Sequence, residues 1–264
     1  MSKNLLLLFI STFSLGWSQV NISAVTTEDY LNILRSNISG DKAYETTAFV
    51  EQFWRVVGNG GYNKSIHKIA TDLETAGYVL EENASNMDRF TYRIEKRPLQ
   101  LPTWEIVDAE ITLIGDKEPL LSYTSNRNMV YLNSTSTPKN GITTEIIYVK
   151  DINDLQKESV KGKIIFTESN ILEIYKEGVL KKGAVGIVSY DNPAYLQPEK
   201  NENAIQFRSL PYDTKNSWGI ALSHQAKVRL VSALEKGKLM ANVHISTKIY
   251  PSEELTIVAN IKGG

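Results

Sequence analysis

Lys161-Gly162-Lys163-Ile164-Ile165-Phe166-Thr167 and Glu177-Gly178-Val179-Leu180-Lys181-Lys182-Gly183-Ala184-Val185-Gly186-Ile187-Val188-Ser189-Tyr190 decide the fold class. Lys163 to Thr167 is a short apolar run of the kind that makes a buried strand. Ile171 to Lys182 has helical spacing, and Gly183 ends it. Val185 to Tyr190 is a second apolar strand. Ala184 and Gly186 present almost no side chain, so they predict close packing of helix on strand.

The alternation continues on both sides. Downstream, Asn192 to Asp213 is a long polar loop with Pro193, Pro198 and Pro211. Trp218 to Leu222 reads as a strand, Ser223 caps a helix running to Glu235, and Gly237 stops it. Val243, Ile245, Thr247 and Ile249 recur with period two, and Leu255 to Ile261 is a further apolar strand. Upstream, Glu145 to Val149 is a strand. Ser122 to Asn140 is rich in Ser, Thr and Asn and reads as loop, with a strand at Met129 to Leu132. Val107, Ala109, Ile111 and Leu113 alternate with polar residues, as do Phe90, Tyr92 and Ile94. Tyr78 to Leu80 is a short strand. Before them come three helices: one from a Thr26-Thr27 cap to Arg35, one over Tyr44 to Val57, and one capped by Asn63 and ended by Gly77. The class is α/β.

The chain has 264 residues, 42% hydrophobic and 22% charged, which suits one large domain or two modest ones. Net charge is −1 and pI is near 6.4, which gives no electrostatic reason to expect nucleic acid or an anionic membrane as partner. There is no Cys, so disulfides, Cys-based metal centres and a Cys nucleophile are excluded. Lys3, the apolar run Leu5 to Leu15 and the small residues Gly16 and Ser18 have the layout of a secretory signal peptide. That run is too short to span a bilayer. The expected mature chain begins near Gln19 and is secreted or periplasmic, with no membrane span after cleavage.

Catalytic patterns are scarce. No His-Glu-x-x-His helix, Gly-x-Ser-x-Gly elbow or phosphate loop occurs. His67, His224 and His244 are scattered, and each reads as a surface residue. Glu81-Glu82 and Glu253-Glu254 are adjacent pairs whose side chains point opposite ways on extended chain, so neither alone makes a two-carboxylate site. Trp54, Trp104 and Trp218 read as packing residues. No catalytic, cofactor-binding or metal-ligating residue is assigned.

The two opening segments, followed by Trp218-Gly219-Ile220-Ala221-Leu222-Ser223, resemble the protease-associated (PA) domain. Ala43 to Gly77, together with Thr256-Ile257-Val258-Ala259-Asn260-Ile261-Lys262-Gly263, resembles the catalytic domain of M28-type zinc aminopeptidases on either side of an inserted PA domain. The resemblance implies an incomplete α/β layer carrying a β-rich α+β insert. Its parts are a signal peptide (1–18), an opening peptidase-like segment (19–117), a PA-like domain (118–250) and a resumed peptidase-like segment (251–264). The ends of the insert are expected close together, and Ile257 near the strand around Ile111. In that family the ligands for two zinc ions, a His-x-Asp and later acids including a Glu-Glu pair, follow the resumed strand. No position of this sequence matches them. The expected function is therefore that of the N-terminal and PA-domain part of a secreted metallo-aminopeptidase, inactive alone. Its partners are a peptide or protein substrate, or the missing catalytic half. The alternative is a secreted PA-type module that binds peptides or proteins, with the 192–213 loop as recognition surface.

Overall fold

The computed structural model describes residues 26–212 and 217–263. The proposed leader and its cleavage site lie outside them. The chain divides into two compact units, Met1–Thr47 and Ala48–Gly264.

In the first unit, helix α1 (Thr27–Asn37) starts on a full capping box: Thr26 accepts from the Asp29 amide, and Asp29 accepts from the Thr26 amide at 2.8 Å. The Thr26 amide and then its hydroxyl, both donating to the Asp29 carboxylate, hold that carboxyl below its ordinary range. Helix α2 (Gly40–Val50) contains the boundary between the units and ends seven residues earlier than its apolar spacing predicts. The residues after it turn because Trp54 packs on Trp104 and donates its indole N–H to the Arg127 carbonyl at 2.8 Å.

Helix α3 (Gly60–Thr75) is capped by Asn59, whose side chain accepts from the Tyr62 amide at 2.8 Å, and not by Asn63. Asn59 is buried and also donates to the Trp104 carbonyl, so tertiary contacts fix this cap. Gly77 ends the helix with φ +89°.

Two sheets follow. The smaller contains β1 (Val79–Leu80), β2 (Phe90–Pro98) and β10 (Glu253–Ile261) in the order β1-β2-β10. The larger has seven strands: β3 (Thr103–Leu113), β4 (Leu121–Ser122), β5 (Ile142–Tyr148), β6 (Ile164–Thr167), β7 (Gly186–Ser189), β8 (Gly219–Ala221) and β9 (Leu239–Tyr250). Their order is β4-β3-β9-β5-β6-β7-β8. Strands β5 to β8 are mutually parallel, and β9 lies antiparallel between β3 and β5. Connections through α4 (Asp154–Lys157) and α5 (Ile171–Ile174) make the parallel part an α/β arrangement, and α6 (His224–Leu234) leads from β8 to the antiparallel β9. Ile164, Ile165, Phe166, Ile187, Val188, Ile220, Val243 and Ile245 are fully buried in the main core.

β2 and β10 pair from Pro98↔Glu253 to Phe90↔Ile261, and the Leu99 amide donates to the Ser252 carbonyl at 3.0 Å. The whole seven-stranded sheet is thus an excursion from a hairpin-like pair, and the chain leaves and re-enters that pair at the touching residues Leu99 and Ser252. Ile257 pairs with Ile94, whereas Ile111 pairs with Val243 in the other sheet, so the expected proximity of Ile257 to the Ile111 strand is corrected. Periodicity identifies a strand but not its partner.

Other differences have local causes. A bulge between Ile106 and Asp108 shifts the phase of β3, turning Val107 outward (47% exposed) while Trp104 and Ile106 face inward. The 171–182 helix becomes π-helical over Tyr175–Lys181. Gly178 in that stretch lies directly on Ile165, so this glycine makes the close helix–strand approach. Gly186 instead faces the Trp218 indole. Met129 to Leu132 forms only isolated bridges, Val130 with Ile220 and Leu132 with Ser209.

Glu145 on β5 accepts ion pairs from Lys163 (3.1 Å) and Lys238 (3.3 Å). Desolvation raises its pKa, but the hydrogen bonds from the two lysines outweigh it and leave the carboxyl below its usual range. A folded pKa below the unfolded one stabilises above the unfolded value, and the gain disappears as pH falls through the folded value. Glu145→Gln is expected to cost about 0.2–1 kcal/mol at neutral pH, shrinking toward zero near about pH 3, as read by urea titrations at both values. An equal loss at both pH values contradicts this.

Candidate functional site

Two places gather chemistry. The first is an open cleft of about 990 Å³ against the three-stranded sheet. α3 supplies Asn63 and His67, the end of β1 leads into Glu81 and Glu82, β2 supplies Arg93 and Lys96, and β10 supplies Glu253. Glu81, Glu82 and Glu253, far apart in sequence, therefore face one cleft, and Glu254 does not. The members of the two acidic pairs do different work. Glu81 is bound by Arg93 at 3.2 Å and by the Asn260 amide at 2.6 Å. Glu254 pairs with Arg97 at 3.4 Å, tying β10 to β2. Glu82, Glu253 and the exposed His67 have no side-chain hydrogen bond among the described residues. Tyr62 donates to the Leu255 carbonyl at 2.9 Å, and desolvation followed by the charge of Glu254 raises its pKa. The Asn63 Oδ1 is buried without a partner.

This donor set does not fit a zinc centre. No three His, Cys, Asp or Glu side chains converge to hold a metal among the described residues.

The histidines lie on three separate elements. His244 on β9 is half-buried, with Nε2 4.0 Å from Asp108. His224 opens α6, and its Nδ1 meets the Tyr190 hydroxyl at 3.0 Å, so it is less solvated than its sequence context suggests. Close by, Tyr148 donates to Glu168 at 2.7 Å; desolvation and then this carboxylate push its pKa up to about 12.

The second place is the loop after Asn192. Sequence singles it out as a recognition surface but gives no sign of how it is held. Four asparagine side chains hold it. Asn126 donates to the Asn203 carbonyl, Asn128 to Ile205 (3.3 Å), Asn133 to Leu210 (3.0 Å) and Asn192 to Ala204 (2.7 Å). Ile205 and Leu210 are buried beneath it. The Asn-rich 122–140 stretch that reads as plain loop thus satisfies another loop's backbone. Fixed on this frame, Tyr195 and Phe207 point outward. Residues 213–216 of the loop lie outside those described.

The chain superposes on the peptidase M28 precursor from Shewanella amazonensis SB2B with a TM-score of 0.50 at 15% identity, covering 85% of this chain and 50% of that one. It superposes on a zinc aminopeptidase from Bacillus subtilis with a TM-score of 0.51 at 16% identity, covering 82% and 46%. The fold is zinc-aminopeptidase-like. The chain spans about half the length of these structures. No protein-family model matches the sequence, and no curated protein matches it. No helix among the described residues is long and apolar enough to cross a membrane.

Proposed function

We propose that this chain is the opening segment and PA-like insert of a secreted M28-like metallo-aminopeptidase, with residues 1–18 as its leader. The zinc ligands and general base come from polypeptide other than these residues. The observation that carries this reading is the β2–β10 pairing: the chain leaves a small sheet at Pro98, builds a second sheet, and returns to the same strand at Glu253. We take the insert to span about residues 99–252, with β3 inside it and the first boundary earlier than 117; the partition of strands between the two sheets supports this. Similarity to peptidase structures about twice as long supports the same reading. β10 lies at the edge of its sheet, with Ile261 63% exposed and Phe90 41% exposed on its partner strand, a surface suited to receiving further strands.

The test is an assay of the purified chain on aminoacyl-p-nitroanilides with added zinc, together with its oligomeric state. No hydrolysis is expected, and concentration-dependent association through the β10 edge should be suppressed by Ile261→Lys. Zinc-dependent release of nitroaniline, or a monodisperse monomer at all concentrations, overturns the proposal. A second reading, a secreted peptide-binding module, is favoured by the clamped loop with its outward aromatic residues.

A further inference from the structure

A groove of about 860 Å³ lies between the chain after α2 and the clamped loop. Its wall is aromatic. Trp54 packs edge-on against Trp104 (centroids 5.4 Å apart, 73°) and against Phe207 (6.3 Å, 88°). Trp54 is fixed by its bond to the Arg127 carbonyl, so this wall is preformed. Phe207 is 62% exposed, yet its neighbours are pinned: Arg208 holds Asp191 at 2.7 Å, and the Leu132 amide takes the Arg208 carbonyl at 2.8 Å. Apart from its edge-on contact with Trp54, the Phe207 ring leaves most of its apolar surface uncovered on a pinned backbone.

The rim is cationic. Arg127 is neutralised by Glu51 at 2.8 Å. Arg55 has no carboxylate partner among the described residues. Its Nη1 donates to the carbonyls of Val50, the last residue of α2, and of Phe53 just beyond it, which positions the guanidinium; its other N–H groups have no partner among the described residues. Lys64 lies over the Phe53 ring at 5.1 Å and adds positive charge beside it. An apolar aromatic wall next to an oriented, unpaired guanidinium complements an apolar side chain adjacent to a carboxylate. The volume suits a ligand of two or three residues better than a single amino acid.

We propose that this groove binds the carboxyl end of a peptide whose last residue is aromatic or large and aliphatic, with the side chain against Trp54 and Phe207 and the carboxylate on Arg55. The proposal is independent of the peptidase reading, because it is read by binding and not by hydrolysis. The test is a titration of the full chain with N-acetyl-Leu-Phe, followed by tryptophan fluorescence and calorimetry. Saturable binding is expected, weakened about tenfold or more when the carboxylate is replaced by the C-terminal amide. Phe207→Ala, at an exposed position, and Arg55→Gln should each weaken the acid by about the same factor. Absence of saturation at millimolar peptide, equal binding of acid and amide, or a folded Phe207→Ala variant that binds like the parent overturns it.

Discussion

Trp104→Ala is expected to lower the unfolding free energy by about 3–5 kcal/mol, the range for emptying a large aromatic from a core. Trp104 is 2% exposed. Its indole N–H donates to the Ser134 carbonyl at 2.9 Å, and its own carbonyl accepts from Asn59, the α3 cap. Truncation therefore opens a cavity, leaves a buried acceptor without its donor and removes the surface on which Trp54 packs. Equilibrium denaturation in urea reads the loss. A change under about 1 kcal/mol shows that Trp104 is not the anchor described.

Gly186→Val is expected to cost about 3 kcal/mol, the upper end of the overpacking range. A Cβ at 186 falls inside the Trp218 ring system. Trp218 is 3% exposed, and β7 is paired on both sides by β6 and β8, so neither ring nor strand has room to withdraw. The measurement is the same denaturation, with near-ultraviolet circular dichroism reporting the Trp218 environment. A variant with parental stability and an unchanged aromatic spectrum contradicts this packing.

These two positions show where the sequence is readable. The 161–190 stretch announces strand, helix and strand, because buried parallel strands are continuous apolar runs and Gly183 marks the helix end. Thr26 and Ser223 announce their caps, since a hydroxyl before an apolar periodic run has one strong use. What Gly186 accommodates is not readable, because its neighbour Trp218 is brought there only by the β7–β8 pairing. Likewise β3 joins the larger sheet through a bulge and a long-range ladder with β9, neither of which leaves a local trace. The convergence of Glu81, Glu82 and Glu253 on one cleft follows from the β2–β10 return, some 160 residues later in the chain. The asparagine side chains that hold the 203–210 backbone belong to the same kind of long-range partnership. Only after the fold is known does an Asn-rich loop read as a set of donors.

The most direct test of the central claim is the nucleotide sequence that follows the codon for Gly264. An open frame encoding an apolar strand, then a His-x-Asp and a later Glu-Glu, is the expected result, and it places this chain at the front of a zinc peptidase. A stop codon with no such frame downstream contradicts that placement.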